Sequence, residues 1–73
     1  MRYMATYFEG YEIESCPRIS EHGWLVKAVI AGQDEEIVCE DGTEFPSYEE
    51  AAEASFALGR RWVWSRRKPV LKL

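Results

Sequence analysis

The tightest constraint on this chain is one capped amphipathic helix near its C-terminal end, with an apolar face that something else must cover. Phe45-Pro46 closes an extended stretch, Ser47 stands where an N-cap belongs, and Glu50 follows three residues later in the spacing of a capping box. Glu49, Glu50 and Glu53 fill the first turns, where the helix dipole favours anions. At about 100° per residue, Tyr48, Ala51, Ala52, Ser55, Gly59, Trp62 and Val63 share one face, with Phe56 and Leu58 beside it. Glu49, Glu50, Glu53, Arg60 and Arg61 lie opposite. Gly59 sits near the centre of the apolar face and would let the helix approach its support closely, at about 1 kcal/mol of helix propensity. Pro69 limits the helix, which is expected to fray near Ser65.

The support is a sheet, because the remaining pattern alternates with period two. Tyr7 to Cys16 reads as a first strand, with Tyr11 and Ile13 set against Glu12 and Glu14, and Pro17 ends it. Ser20-Glu21-His22-Gly23 is a polar turn. Trp24 to Ala31 is the strongest strand: Trp24, Val26, Ala28 and Ile30 share one face, and Leu25, Lys27 and Val29 the other. Gly32-Gln33-Asp34 turns the chain into a short strand from Glu36 to Glu40, which Asp41-Gly42 is expected to stop. The fold class is therefore α+β, a three-stranded antiparallel meander with one long C-terminal helix on one face. The expected core is Trp24, Val26, Ile30, Ile37, Ala52, Phe56 and Trp62. Residues 1–65 form a single domain, and 66–73 read as a basic C-terminal tail.

Size and composition narrow the function classes. A chain of 73 residues is one small domain, and 47% hydrophobic content suits a folded chain rather than a disordered one. No run approaches the roughly 18 apolar residues needed to cross a bilayer, and the start lacks the apolar stretch of a signal peptide, so a cytoplasmic location is expected. Cys16 and Cys39, the two cysteines, form no CxxC pair, and His22 is the sole histidine, so no zinc set can be assembled within one chain. A disulfide is geometrically possible if the two face each other on neighbouring strands; in a reducing compartment two free thiols packing as small hydrophobes are expected instead. Asp34-Glu35-Glu36 and Glu40-Asp41-Gly42-Thr43-Glu44 lack the spaced ligands of a calcium loop and read as solvated turns. No catalytic residue, metal site or cofactor is assigned.

Several signals recur together: Tyr7-Phe8-Glu9-Gly10-Tyr11-Glu12-Ile13, Pro17-Arg18, Gly23-Trp24, Phe45-Pro46-Ser47-Tyr48-Glu49-Glu50-Ala51 and Gly59-Arg60-Arg61-Trp62-Val63. Their order resembles short bacterial β-β-β-α proteins of unknown function and is similar in layout to the HlyU-type small regulators. The resemblance covers residues 7–63 and rests on structural residues; it implies a fold and carries no catalytic positions. A second resemblance, to three-strand-plus-helix DNA-binding domains, rests on Trp24 and Glu49-Glu50-Ala51-Ala52. Those domains read DNA with a basic sheet, whereas these strands carry Glu12, Glu14, Glu36 and Glu40, which repel phosphate.

Charge supplies the candidate site. Residues 1–59 carry all thirteen acidic residues against three basic ones, net −10, while residues 60–73 carry six basic residues and no acid; the chain totals −4. Arg60, Arg61, Trp64, Arg66, Arg67 and Lys68 form the candidate binding segment. One reading is contact with phosphates or an acidic partner; the plainer one is that cations near a helix C-terminus complement its dipole. Trp64 does not fit the buried face: on a continuing helix it projects about 160° from Tyr48, onto the polar side, so either the helix ends just before it or a tryptophan is exposed. The expected function is a small non-enzymatic protein-binding or regulatory module, whose partner is another protein or, through Leu25 and Val29 on the second sheet face, a second copy. The alternative is nucleic-acid binding through the Arg/Trp segment.

Overall fold

Two residues, Glu9 and Gly10, set the architecture. The computed structural model describes residues 4–67. Glu9 (φ 54°) and Gly10 (φ 87°) both adopt positive φ, as a two-residue hairpin turn requires. They join β1 (Met4–Phe8) to β2 (Tyr11–Ser15), with Phe8 opposite Tyr11 and Thr6 opposite Ile13. The expected first strand, Tyr7 to Cys16, is therefore two strands folded on each other. Pro17 ends β2 as expected, but Arg18–Ser20 pairs again as a short β3. β4 (Gly23–Ala31) takes β2 along one half of its length and β3 along the other, both on the same side. β5 (Glu36–Phe45) lies on its far side.

The sheet thus has five antiparallel strands where the sequence pattern suggested three. Asp41-Gly42 does not stop β5 either. The register shifts between Leu25 and Lys27, Gly42 takes φ 81°, and the Thr43 N–H donates to Asp41 Oδ1 at 3.0 Å. Positive φ here serves a bulge, and the strand resumes to Phe45.

α1 (Tyr48–Arg67) packs across β4, β2 and β5. Its N-terminus is capped as read: the Glu50 N–H donates to Ser47 Oγ at 3.2 Å, and Ser47 Oγ donates to the Glu50 carboxylate at 3.3 Å. The helix runs past Ser65 to Arg67, two residues into the expected tail. Ile13, Val26, Ala28 and Ile30 from the sheet meet Ala51, Ala52 and Val63 from the helix, all buried. Of the expected core, Val26, Ile30 and Ala52 are buried, and Ile37, Phe56 and Trp62 pack half-buried at its margin. Trp24 is half-buried and meets Tyr48 edge-to-face at 5.1 Å.

Close approach depends on Gly59, where an added Cβ would stand 2.5 Å from Ile13 Cγ2. The hydroxyls at this interface are bonded inwards. Ser15 Oγ donates to the Ala52 carbonyl at 2.8 Å; Ser55 Oγ donates to the Ala51 carbonyl at 2.7 Å and accepts the Lys27 N–H at 3.0 Å. That N–H lies at the register shift in β4, where the helix hydroxyl supplies its partner. Cys16 and Cys39 are both free thiols. Cys39 pairs with Ala28 on the core face, and Cys16 bonds across to Lys27 with its thiol beside Glu14, on the opposite face. Among the described residues no helix is long and apolar enough to cross a membrane.

Candidate functional site on the outer helix face

Ala57, Arg60, Arg61 and Trp64 stand at i, i+3, i+4 and i+7, the spacing that lines one stripe of a helix. The stripe lies opposite the buried face. Because the helix continues to Arg67, Trp64 projects outwards and keeps 54% of its surface exposed. Phe8, at the end of β1, closes the other side. The five residues line an open groove of about 410 Å³. The helix rests on β2, β4 and β5, so β1 lies at its margin. Thr6 accordingly stays exposed although it shares its face with buried Ile13.

The structure divides the candidate segment. Arg60, Arg61 and Trp64 are brought together at the groove, and among the described residues neither arginine has a carboxylate at ion-pair distance. Arg66 turns away. Its guanidinium spans both carboxylate oxygens of Glu35, at 3.2 and 3.1 Å, and stacks on Trp62 with 5.0 Å to the ring centroid. Trp62 in turn meets Tyr11 edge-to-face at 5.9 Å. Arg66 therefore ties the helix end to the β4–β5 turn. Arg67 closes the helix with its backbone; its side chain and the whole of Lys68 lie outside the described residues.

This division separates the two readings of the basic segment. The helix dipole acts within the last turn, which contains Arg66 and Arg67. Arg60 and Arg61 stand about two turns earlier, at 3.6 residues per turn, so the dipole does not explain them. Sequence reasoning missed Phe8 and Ala57. Ala57 was legible as the small residue between the arginine and glutamate turns of the polar face, whereas Phe8 reaches the groove through the Glu9-Gly10 turn.

Elsewhere, polar groups meet at the β3–β4 turn. Ser20 Oγ hydrogen-bonds to Glu44, and His22 Nδ1 lies 3.9 Å from the same carboxylate. The Ser20 hydrogen bond lowers the Glu44 carboxyl from its ordinary value against the opposing effect of desolvation, and the His22 backbone and charge add to the lowering. A hydroxyl-imidazole-acid relay places the imidazole between hydroxyl and acid; here the acid sits between the other two, so the three do not form that relay. Burial pushes both thiols up, with Glu14 adding to the effect at Cys16 against Lys27, which keeps them protonated and weakly nucleophilic at neutral pH. Among the described residues no three metal-ligating side chains converge.

No protein-family model matches the chain, and no curated protein or solved structure matches it.

Proposed function

We propose that this chain is a small non-enzymatic protein-binding or regulatory module, and that the groove on the outer face of α1 is where it takes an acidic partner. The observation that carries this reading is the placement of exposed Arg60, Arg61 and Trp64 beside Phe8, with the two arginines about two turns short of the helix end. A solvated helix face is well served by arginines, and Trp64 adds to them a large aromatic surface that is 54% exposed. Arg with an exposed aromatic is the composition of interaction hot spots, and the apolar part of the groove supplies a contact that salt does not screen.

Nucleic acid is the second reading, since arginine and tryptophan also suit phosphates and bases. The sheet's opposite face carries Glu12, Glu14, Glu36 and Glu40, so a nucleic acid extending past the groove meets a repulsion that a short acidic segment confined to the groove avoids. A titration of isotope-labelled protein with a glutamate-rich peptide and with short DNA and RNA separates the two. The expected result is peptide-induced shifts at Arg60, Arg61 and the Trp64 indole that persist at about 0.15 M salt, near physiological strength, and vanish in Trp64→Ala. Shifts with DNA or RNA alone, collapsing steeply as salt rises, would replace this function with nucleic-acid binding.

A further inference from the structure

β5 forms one edge of the sheet, β1 and the three-residue β3 form the other, and the two long edge strands are built differently. β5 presents Glu36 and Glu40 along its length and breaks its own ladder with the bulge at Gly42. Charges and bulges of this kind keep other strands from adding to an edge. β1 has neither. Its sequence, Met-Ala-Thr-Tyr-Phe, contains no charge, proline or glycine.

Hydrogen-bond alternation shows which backbone groups of this edge have no strand partner among the described residues. The Cys16 N–H donates to the Lys27 carbonyl at 2.9 Å. Counting back by two along the antiparallel ladder, Glu14 and Glu12 bond to β4, and Ser15, Ile13 and Tyr11 bond to β1. The Gly32 N–H to Glu35 carbonyl bond, 2.8 Å, gives the same alternation from the other side of β4. The β1 partners are thus Met4, Thr6 and Phe8, and the N–H and C=O groups of Ala5 and Tyr7 point away from the sheet.

Resting on the function proposed above, we infer that the partner is an acidic extended segment that adds to β1 as an antiparallel strand, pairing with the backbone of Ala5 and Tyr7. A strand there lies about 4.8 Å beyond β1, over the margin that α1 does not cover. Its inward side chains then face the groove formed by Phe8, Trp64, Arg60 and Arg61. Its outward side chains fall beside Ala5 and Tyr7, on the face that carries Glu14 and Glu12. Charge therefore sets the pattern of the guest: carboxylates at inward positions towards the arginines, neutral residues at outward positions. Tyr7, 78% exposed, is available to cover an outward β-branched side chain. Backbone pairing supplies affinity and the alternating side chains supply selectivity.

The test uses the full chain and a blocked synthetic peptide of alternating Thr and Glu, about seven residues long to match a strand. Three comparison probes accompany it: the same peptide with methylated backbone amides, a Thr/Lys version, and an oligothymidylate. The expected result is slowed hydrogen exchange at the Ala5 and Tyr7 amides together with shifts at Arg60 Nε and the Trp64 indole. Methylation is expected to weaken binding at least about fivefold, the loss of one or more ladder bonds, and the Thr/Lys peptide to leave the spectrum unchanged. Shifts at Arg60 and Trp64 with no protection at Ala5 and Tyr7, and equal binding of the methylated peptide, overturn strand addition while the groove reading stands. No response to the acidic peptide overturns both. Protection of Ala5 and Tyr7 that grows with protein concentration alone makes a second copy the occupant. Oligothymidylate shifting Arg60 and Trp64 more strongly than the peptide makes the ligand a nucleic acid; either result overturns the inference.

Discussion

The inner and outer faces of α1 share one backbone and differ in what their residues contribute. The inner face is made of small groups: Ala51, Ala52, Ser55, Gly59 and Val63 are all buried, and the two hydroxyls at the interface bond to backbone. Its side chains are chosen for fit, and a change of one methyl is felt. The outer face carries large groups, Arg60, Arg61 and Trp64, which are exposed beside the groove. Burial and exposure are thus separated by half a turn of helix, and if the outer face takes the proposed partner, stability and binding can be altered separately.

The sharpest way to break that separation is Gly59→Val. Its Cβ would already crowd Ile13 Cγ2 at 2.5 Å, and Ile13 is β-branched, stiff about χ1 and fully buried. A loss of about 3 kcal/mol in urea unfolding is expected, a large share of what a domain this small possesses. Gly59→Ala is expected to lose less, since helix propensity returns about 1 kcal/mol. Unchanged stability in the valine variant would mean that the helix stands further from the sheet than described.

Ser55→Ala comes next, at about 1–3 kcal/mol, because it removes the part-buried acceptor of the Lys27 N–H. Hydrogen exchange of the Lys27 amide reads that loss directly. Arg66→Ala is expected to cost about 1 kcal/mol or less: its bond to Glu35 is two-pronged but half-exposed, and salt should shrink the effect. This variant sharpens the comparison from within the basic segment, since Arg66 alone among the placed arginines of the helix serves the fold.

Much of this arrangement was legible in the residues. Ser47 and Glu50 marked the helix start, and the spacing from Tyr48 to Val63 marked its buried face, because capping and helical period are local properties. Trp24 to Ala31 read correctly for the same reason: its alternation is uninterrupted. What escaped depended on turns. Glu9-Gly10 lies inside a run that alternates plausibly across it, so positive φ at a glutamate had no strong signature, and β1 stayed hidden with its open edge. Asp41-Gly42 misled in the opposite direction, since the dipeptide that ends one strand can bulge another, and pairing with β4 decides between them. At the site, helical periodicity placed Trp64 outwards, but separating Arg60 and Arg61 from Arg66 required knowing where Glu35 lies in space.

The smallest expected effect is the most discriminating. Arg60→Gln combined with Arg61→Gln is expected to change unfolding free energy by no more than about 0.5 kcal/mol. If these arginines served the helix dipole, removing two positive charges would destabilise α1, with the loss deepening at low salt and fading as salt is added. The geometry argues otherwise, because the dipole's partial charge resides on the last-turn carbonyls, beside Arg66 and Arg67. The measurement is urea unfolding of the double variant at two ionic strengths. Coincident curves mean the two charges are not needed for folding, which is what a surface kept for a partner requires; a salt-dependent loss would return Arg60 and Arg61 to the fold and dissolve the distinction between the two faces.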